Sequence, residues 1–188
     1  NIQSCDLSEI VHQTAETFRP HLEANGFKLD CELPSAPVSV QGDADALSQI
    51  LVNLLSNAEK YSSNGSVPSS SPLGGERTEV RGDDKPKTDL LSGIPKEITV
   101  QLTQKQSPLP HAEIRVLDRG PGVPRGSEEK VFEKFYRAHD ALSSGIQGSG
   151  LGLTIARQIA RAHGGDVAYE SREDGGSCFI LRLPIKSA

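Results

Sequence analysis

Leu7, Ile10, Val11, Thr14, Phe18 and Leu22 recur at steps of three and four residues, which predicts an amphipathic helix with one buried stripe. Asp6 stands in position to cap its start and Gly26 to end it. The period then changes. Phe27, Leu29, Cys31 and Leu33 alternate with polar residues as a strand closed by Pro34, and Val38 and Val40 mark a short second strand. Asp43 precedes another helical pattern, with Leu47, Ile50, Leu51, Leu54, Leu55 and Ala58 on its apolar face, running to about Tyr61. Strands resume with Ile98, Val100 and Leu102, and again over 113–118 after a Pro-containing turn. A short amphipathic stretch around Val131, Phe132 and Phe135 leads to a Gly/Ser-rich loop over 143–150. The next helix places Ile155, Ala156, Ile159 and Ala160 on one face and ends at Gly164 and Gly165. Residues 167–169 and 179–183 form the final hairpin, across Asp174, Gly175 and Gly176. No internal repeat is visible. Helices mixed with mainly adjacent strands predict an α+β fold, a sheet with helices on one face.

One segment breaks this order. From Ser62 to about Lys96, Ser, Gly, Pro and charged residues crowd together with too little apolar surface to order themselves, so 62–96 reads as a mobile, solvated insertion in a single domain spanning 1–188. A chain of 188 residues, 35% hydrophobic and 24% charged, is long enough for one such core. Five Phe, three Tyr and no Trp argue against a surface of stacked aromatics, and a net charge of −5 argues against a nucleic-acid partner. No apolar run approaches the ~20 residues that cross a bilayer, so direct membrane contact is not expected. Cys5, Cys31 and Cys178 form no CxxC pair and no disulfide framework, which points to ordinary thiols in a reducing compartment. Starting at Asn1 and lacking Met, the chain reads as a piece of a longer protein.

Three places carry candidate chemistry. Asn53, Asn57 and Lys60 form one polar stripe along the second helix. Asn is a mediocre helix former; its amide oxygen is a hard donor suited to Mg²⁺, and a lysine one turn on suits phosphate. An exposed polar face accounts for the stripe equally well. Asp118 keeps the strand parity of Ile114 and Val116, so it points inward, where a carboxylate needs donors such as an exocyclic amine; capping its own turn is the alternative. Gly120 and Gly122 let the backbone turn tightly beside it. The string 148–153, GSGLGL, runs into a helix whose free N–H groups make an anion site, although a flexible hinge has the same composition. There is no GxxxxGK[ST], and the glycine string follows a loop, not a strand, which sets aside P-loop and dinucleotide-binding βαβ folds.

Taken in order, the segments resemble the catalytic ATP-binding domain of sensor histidine kinases, in the superfamily that includes gyrase and the mismatch-repair ATPases. QILVNLLSNAEKYS (49–62) resembles the N box, DRGPGVP (118–124) the G1 box, VFEKFYRA (131–138) the F box and GSGLGLTIARQIARAHGG (148–165) the G2 box. The leading helix and strand are also similar, so the likeness spans nearly everything except 62–96. It implies the Bergerat fold, a two-layer α/β sandwich with a mixed sheet, and ATP and Mg²⁺ as cofactors. It implies Asn57 as Mg²⁺ ligand with Asn53 beside it, Lys60 on phosphate, and Tyr61 against the adenine or ribose. Asp118 would accept from the adenine amino group, with Gly120, Gly122 and Val123 shaping the base pocket and Ser177 supporting the base through water. Tyr136 and Arg137 would face the nucleotide, Arg137 reaching the phosphates. Gly148, Ser149, Gly150 and Gly152 would line a flexible lid from about 138 to 148 and its exit, with Leu151 and Leu153 opening the helix beneath the phosphates.

Two departures from the pattern matter. Gln49 holds the place where many members carry an acid; it can orient a histidine or a water but cannot take up a proton. The 62–96 insertion has no counterpart. None of His12, His21, His111, His139 and His163 has the phosphoacceptor context, and His163 reads as a helix-end residue favoured by the dipole. The implied function is transfer of the γ-phosphoryl group of Mg·ATP to a histidine on an upstream dimerisation domain, and onward to a response regulator. The piece itself would be monomeric and cytoplasmic, its parent a homodimer and often membrane-anchored. The rival readings are a nucleotide-binding regulatory module that has lost transfer, which Gln49 keeps open and the intact Asn57, Asp118 and glycines argue against, and another ATPase or serine kinase of the superfamily. The F box and Lys60-Tyr61 favour the histidine-kinase branch.

Overall fold

A computed structural model describes residues 1–62, 96–138 and 148–185. Nearly all of the expected insertion and most of the expected lid, with His139, lie outside them. In chain order the elements are β1 (Gln3–Asp6), α1 (Leu7–Ala24), β2 (Lys28–Glu32), β3 (Ser39–Gly42), α2 (Ala44–Ser62), β4 (Glu97–Lys105), β5 (His111–Leu117), a 3₁₀ turn (Lys130–Phe132), α3 (Gly152–Ala162), β6 (Asp166–Ser171) and β7 (Ser177–Pro184). The main sheet has the order β2-β4-β5-β7-β6, with β2 parallel to β4 and the other neighbours antiparallel.

The helices begin where the capping residues place them. Asp6 Oδ1 accepts from the Ser8 N–H at 2.9 Å and from the Val38 N–H at 3.1 Å, tying the start of α1 to the residue before β3. Asp43 Oδ1 accepts from the Ala46 N–H at 3.2 Å at the start of α2. Behind α1, Gly26 takes the left-handed φ of 78° that ends a helix most cheaply. The inward residues of the sheet stand opposite one another along the ladders, Leu29 with Ile98, Val100 with Val116, Ile114 with Leu181 and Val167 with Leu181. They pack against the buried stripes of α1 and α2 as one core, giving the two-layer α+β sandwich with helices on one face.

The opposite face of the sheet is closed by charge. Glu113, 4% exposed, accepts from Arg115 Nε at 2.8 Å and Arg182 Nε at 3.0 Å. Burial alone would raise its carboxyl, but the two guanidiniums win and hold it below the ordinary glutamate value. Ile180, which pairs with Arg115 across the ladder, is fully buried.

Three details differ from the sequence expectation. β1 carries no alternation of its own and exists by antiparallel pairing with β3, Cys5 opposite Val40. Phe135 does not belong to a buried amphipathic face: the helical turn there ends at Phe132, and Phe135 is 71% exposed at a φ of 65°. On α3 the buried face is Thr154, Ala156 and Ala160, whereas Ile155 is 42% exposed, because Thr154 finds an internal acceptor for its hydroxyl. His163 does end α3, yet as a bridge. Its Nδ1 lies 2.8 Å from the Ile159 carbonyl and its Nε2 accepts the Asp43 N–H at 3.1 Å, which requires the neutral ring. No helix among the described residues is long and apolar enough to cross a membrane.

Candidate functional site

Six buried apolar residues fix the rotation of α2 against the sheet. Asn53, Asn57 and Lys60 therefore run along an adjacent stripe, on the side where α3 packs. The two helices approach closely at the glycine: a methyl group on Gly152 would come within 3.8 Å of Asn53 Oδ1. Two adjoining clefts open along this stripe. The narrower encloses about 390 Å³ and is walled by Asn57, Tyr61, Gly122, Val123, Val131, Tyr136, Leu153, Ser177 and Phe179, among others. The wider encloses about 930 Å³ and is walled by Asn53, Asn57, Lys60, Tyr61, Tyr136, Arg137 and the run of residues 148–153. Every candidate named from the sequence lines one cleft or both, except Gln49, Asp118 and Gly120.

Of those three, Gln49 is exposed on α2 beyond the cleft wall, and Asp118 and Gly120 are set back behind it. Gln49 lies one turn before Asn53, its Nε2 3.5 Å from Asn53 Oδ1. Asp118 follows β5 with the inward parity of Ile114 and Val116, because its N–H extends the ladder by donating to the Ser177 carbonyl at 2.9 Å. It is 1% exposed. Its Oδ1 accepts from the Gly120 N–H at 2.7 Å and the Ser177 N–H at 3.3 Å, while Oδ2 is buried without a hydrogen-bond partner. Burial pushes this carboxyl above the ordinary aspartate value, against the pull of the Gly120 and Ser177 N–H groups and of the Ser62 and Ser177 hydroxyls. A buried carboxylate oxygen with no donor is costly, and such an atom marks a place for a ligand donor or a water. Gly120 has no room for a side chain, since a methyl group would meet Asp118 Oδ1 at 3.0 Å and the Tyr61 carbonyl at 3.1 Å.

The wider cleft is chemically different. Its donors are the amides of Asn53 and Asn57, the cations of Lys60 and Arg137, and the backbone leading into α3. The first turn of α3 leaves N–H groups free at the positive end of its dipole. Asn53 Nδ2 is buried without a partner. Burial raises the Tyr61 hydroxyl, with Arg137 pulling the other way. Gly150, at a φ of 69°, accepts from the Phe135 N–H at 3.0 Å, and the two backbones are so close that a methyl group on Gly150 would meet Phe135 at 2.9 Å. The exit of the loop is thereby tied to the segment before it. Among the described residues, no group of three His, Cys, Asp or Glu side chains gathers as a metal site.

Sequence reasoning missed Thr154 and Arg157, which join α3 to the 3₁₀ turn carrying Val131. Thr154 Oγ1 donates to the Phe132 carbonyl at 2.9 Å. Arg157 lies over the Phe132 ring at 4.5 Å and pairs with Glu129 at 2.7 Å and Asp166 at 2.8 Å. The available signal was the polar pair at i and i+3 on an otherwise small, apolar face.

Comparison with known proteins bears on the family and the fold. Residues 42–187 match the family described as "Histidine kinase-, DNA gyrase B-, and HSP90-like ATPase". The sensor histidine kinase WalK of Bacillus subtilis is 33% identical over 154 residues, 82% of this chain and 20% of that protein. The adaptive-response sensory kinase SasA of Thermosynechococcus vestitus is 31% identical over 182 residues, 97% of this chain and 39% of that protein. The chain thus spans less than half the length of these relatives. The solved structure of the mycobacterial sensor histidine kinase MprB superposes with a TM-score of 0.68 at 26% identity, covering 98% of this chain and 97% of that one. The catalytic domain of the histidine kinase ThkA, in a nucleotide-free form, has the same fold, with a TM-score of 0.69 at 22% identity over 98% and 95% of the two chains. The chain belongs to the histidine kinase-, DNA gyrase B- and HSP90-like ATPase family, and within it is the ATP-binding catalytic domain of a sensor histidine kinase.

Proposed function

We propose that the two clefts hold Mg·ATP with its base in the narrower and its phosphates in the wider, and that the parent protein passes the γ-phosphoryl group to a histidine on an adjoining dimerisation domain and then to a response regulator. The observation that carries this reading is the buried, unpartnered Oδ2 of Asp118 behind a mainly apolar cleft that opens into one rimmed by Lys60 and Arg137. In it, Oδ2 accepts the adenine amino group while Oδ1 keeps the Gly120 and Ser177 N–H groups. Gly122, Val123 and Ser177 flank the base, and Tyr61 and Tyr136, which line both clefts, stand at the junction with the ribose and phosphates.

The donors present fit Mg²⁺. Asn57, which lines both clefts, offers an amide oxygen, and the unpartnered atom of Asn53 is Nδ2, an N–H donor suited to a phosphate oxygen. Hard neutral oxygens complete a Mg²⁺ shell when phosphates supply the charge. When bound, the ion would neutralise charge on the phosphates. Lys60, Arg137 and the N–H groups at the start of α3 bind and orient the same phosphates. Gln49 and Asn53 orient the attacking imidazole; neither removes its proton. As the bond from the γ-phosphorus to the β-phosphate oxygen breaks, one forms to the unprotonated imidazole nitrogen, the proton on the other ring nitrogen passes to water, and ADP remains. Such transfer depends on positioning and charge stabilisation more than on acid–base groups, which is why a glutamine is compatible with it.

The test is incubation of the chain with γ-labelled Mg·ATP and a separately supplied phosphoacceptor domain. Acid-labile, base-stable label on the acceptor is the expected result. ADP binding without label transfer would instead favour a regulatory nucleotide-binding module, the reading that Gln49 keeps open.

A further inference from the structure

Within the segment 118–123 the Gly120 N–H donates to Asp118 Oδ1 at 2.7 Å, and the hairpin behind it adds further holds. The segment makes no ladder beyond the first residue, Pro121 has no N–H, and Gly122 takes a φ of 74°. The β6–β7 hairpin, which lines the narrower cleft only through Ser177 and Phe179, grips it from behind. Tyr169 Oη accepts the Val123 N–H at 3.0 Å. Arg172 Nη1 donates to the Asp118 carbonyl at 3.1 Å. The contact leaves no slack: a methyl group on Gly176 would run into the Asp118 carbonyl, and one on Gly122 would meet the Gly176 carbonyl at 3.2 Å and Tyr169 Oη at 3.4 Å.

Both gripping side chains are themselves fixed. Tyr169 is half-buried with its ring tilted against Phe179, centroids 5.4 Å apart. Arg172 spends one edge of its fork on Asp174, through Nε at 3.0 Å and Nη2 at 2.8 Å, which leaves Nη1 directed at the carbonyl. Asp174 is held in turn by Arg119 Nη1 at 3.0 Å. A guanidinium serves both partners at once; an ammonium cannot keep that geometry.

We infer that Tyr169 and Arg172 are positioning residues for base recognition: they touch no part of the nucleotide but set where Asp118, Gly122 and Val123 stand. This rests on the assignment of 118–123 to the adenine side. Its consequence is that the affinity and base selectivity of the narrower cleft are written partly in a hairpin that contributes neither side chain to the cleft.

The experiment is calorimetric titration of Mg·ADP and Mg·GDP into the whole chain carrying Tyr169→Phe, Arg172→Lys or Asp118→Asn, with thermal unfolding of each without nucleotide. Tyr169→Phe preserves the ring and strips the acceptor from one N–H, so ADP affinity should fall about tenfold. The ADP-over-GDP ratio should fall with it. Arg172→Lys should weaken ADP about threefold or more, and the double variant should lose less than the product, since both residues hold one segment. A merely structural role would lower the unfolding temperature and leave both the affinity and the base ratio of the folded protein at wild-type values, which would overturn the inference. The Asp118→Asn arm separates the failures. If wild type does not bind ADP, or Asp118→Asn binds it as tightly, the adenine assignment falls. If only Asp118→Asn weakens binding, the assignment stands and the positioning role falls.

Discussion

Exchanging Asp118 for Asn should act on folding and on binding very differently. In the nucleotide-free protein the new side chain keeps its oxygen as acceptor for the Gly120 and Ser177 N–H groups and places an amide NH₂ where Oδ2 was. A buried charge is lost, which helps, because burial already pushes this carboxyl upward. An unsatisfied donor replaces an unsatisfied acceptor at 1% exposure, a cost of about 1–3 kcal/mol on either side of the exchange. Net stability should change by no more than about 1 kcal/mol. Binding has no such cancellation. The variant forfeits a hydrogen bond to a charged acceptor, about 1.5–3 kcal/mol, and sets one donor against another, so ADP affinity should drop about 100-fold or more. The assay is thermal unfolding with and without Mg·ADP, backed by calorimetry. The unfolding temperature without nucleotide should stay near wild type and the increment from ADP should vanish. An Asn variant that binds ADP like wild type would refute the reasoning. The same geometry sets the pH dependence. A carboxyl raised in the folded state costs stability at neutral pH, and that cost disappears as pH falls through its folded value, so Asp118 cannot drive acid unfolding. ADP affinity, which needs the acceptor ionised, should decline while ordinary aspartates are still charged.

Other substitutions test the frame around the site. Glu113→Gln removes the carboxylate shared by Arg115 and Arg182 and should destabilise by about 1–2 kcal/mol, discounted because both arginines are partly solvated, with ADP affinity unchanged; urea unfolding and calorimetry read the two. Gly165→Ala drives a methyl group into the Arg182 carbonyl across the β6–β7 pair and should cost about 3 kcal/mol or more, seen as a lower urea midpoint. Burial would raise the Asp166 carboxyl, but Arg157, Arg161 and the Val167 N–H hold it at about 2. Its contribution is therefore complete above the ordinary aspartate range and is lost as pH falls toward 2, and Asp166→Asn should flatten that limb of a stability–pH curve.

What could be read from the chain alone follows from local periodicity. The stripe on α2 was legible because its six apolar residues fix the helix face, and Asn53, Asn57 and Lys60 then have one place to go. The inward turn of Asp118 followed from strand parity with Ile114 and Val116. β1 was not legible, since Gln3–Asp6 has no pattern and gains its conformation from β3, more than thirty residues on. Phe135 and Ile155 misled for a related reason: an apolar residue near a helical pattern need not be buried when the element is a single turn, or when a threonine has a better internal partner. Tyr169 and Arg172 were invisible because their partners lie 46 and 54 residues away, and no local pattern records a backbone group met across a sheet.

The most direct test of the central claim is a ¹H–¹⁵N NMR titration of the chain with Mg·ADP. The account predicts shifts clustered at Asn57, Gly120, Gly122, Gly150, Gly152 and Ser177, with the amide signals of Glu113, Arg115 and Arg182 on the opposite face of the sheet unmoved. Shifts on that charged face, or none along the stripe of α2 and the start of α3, would contradict it.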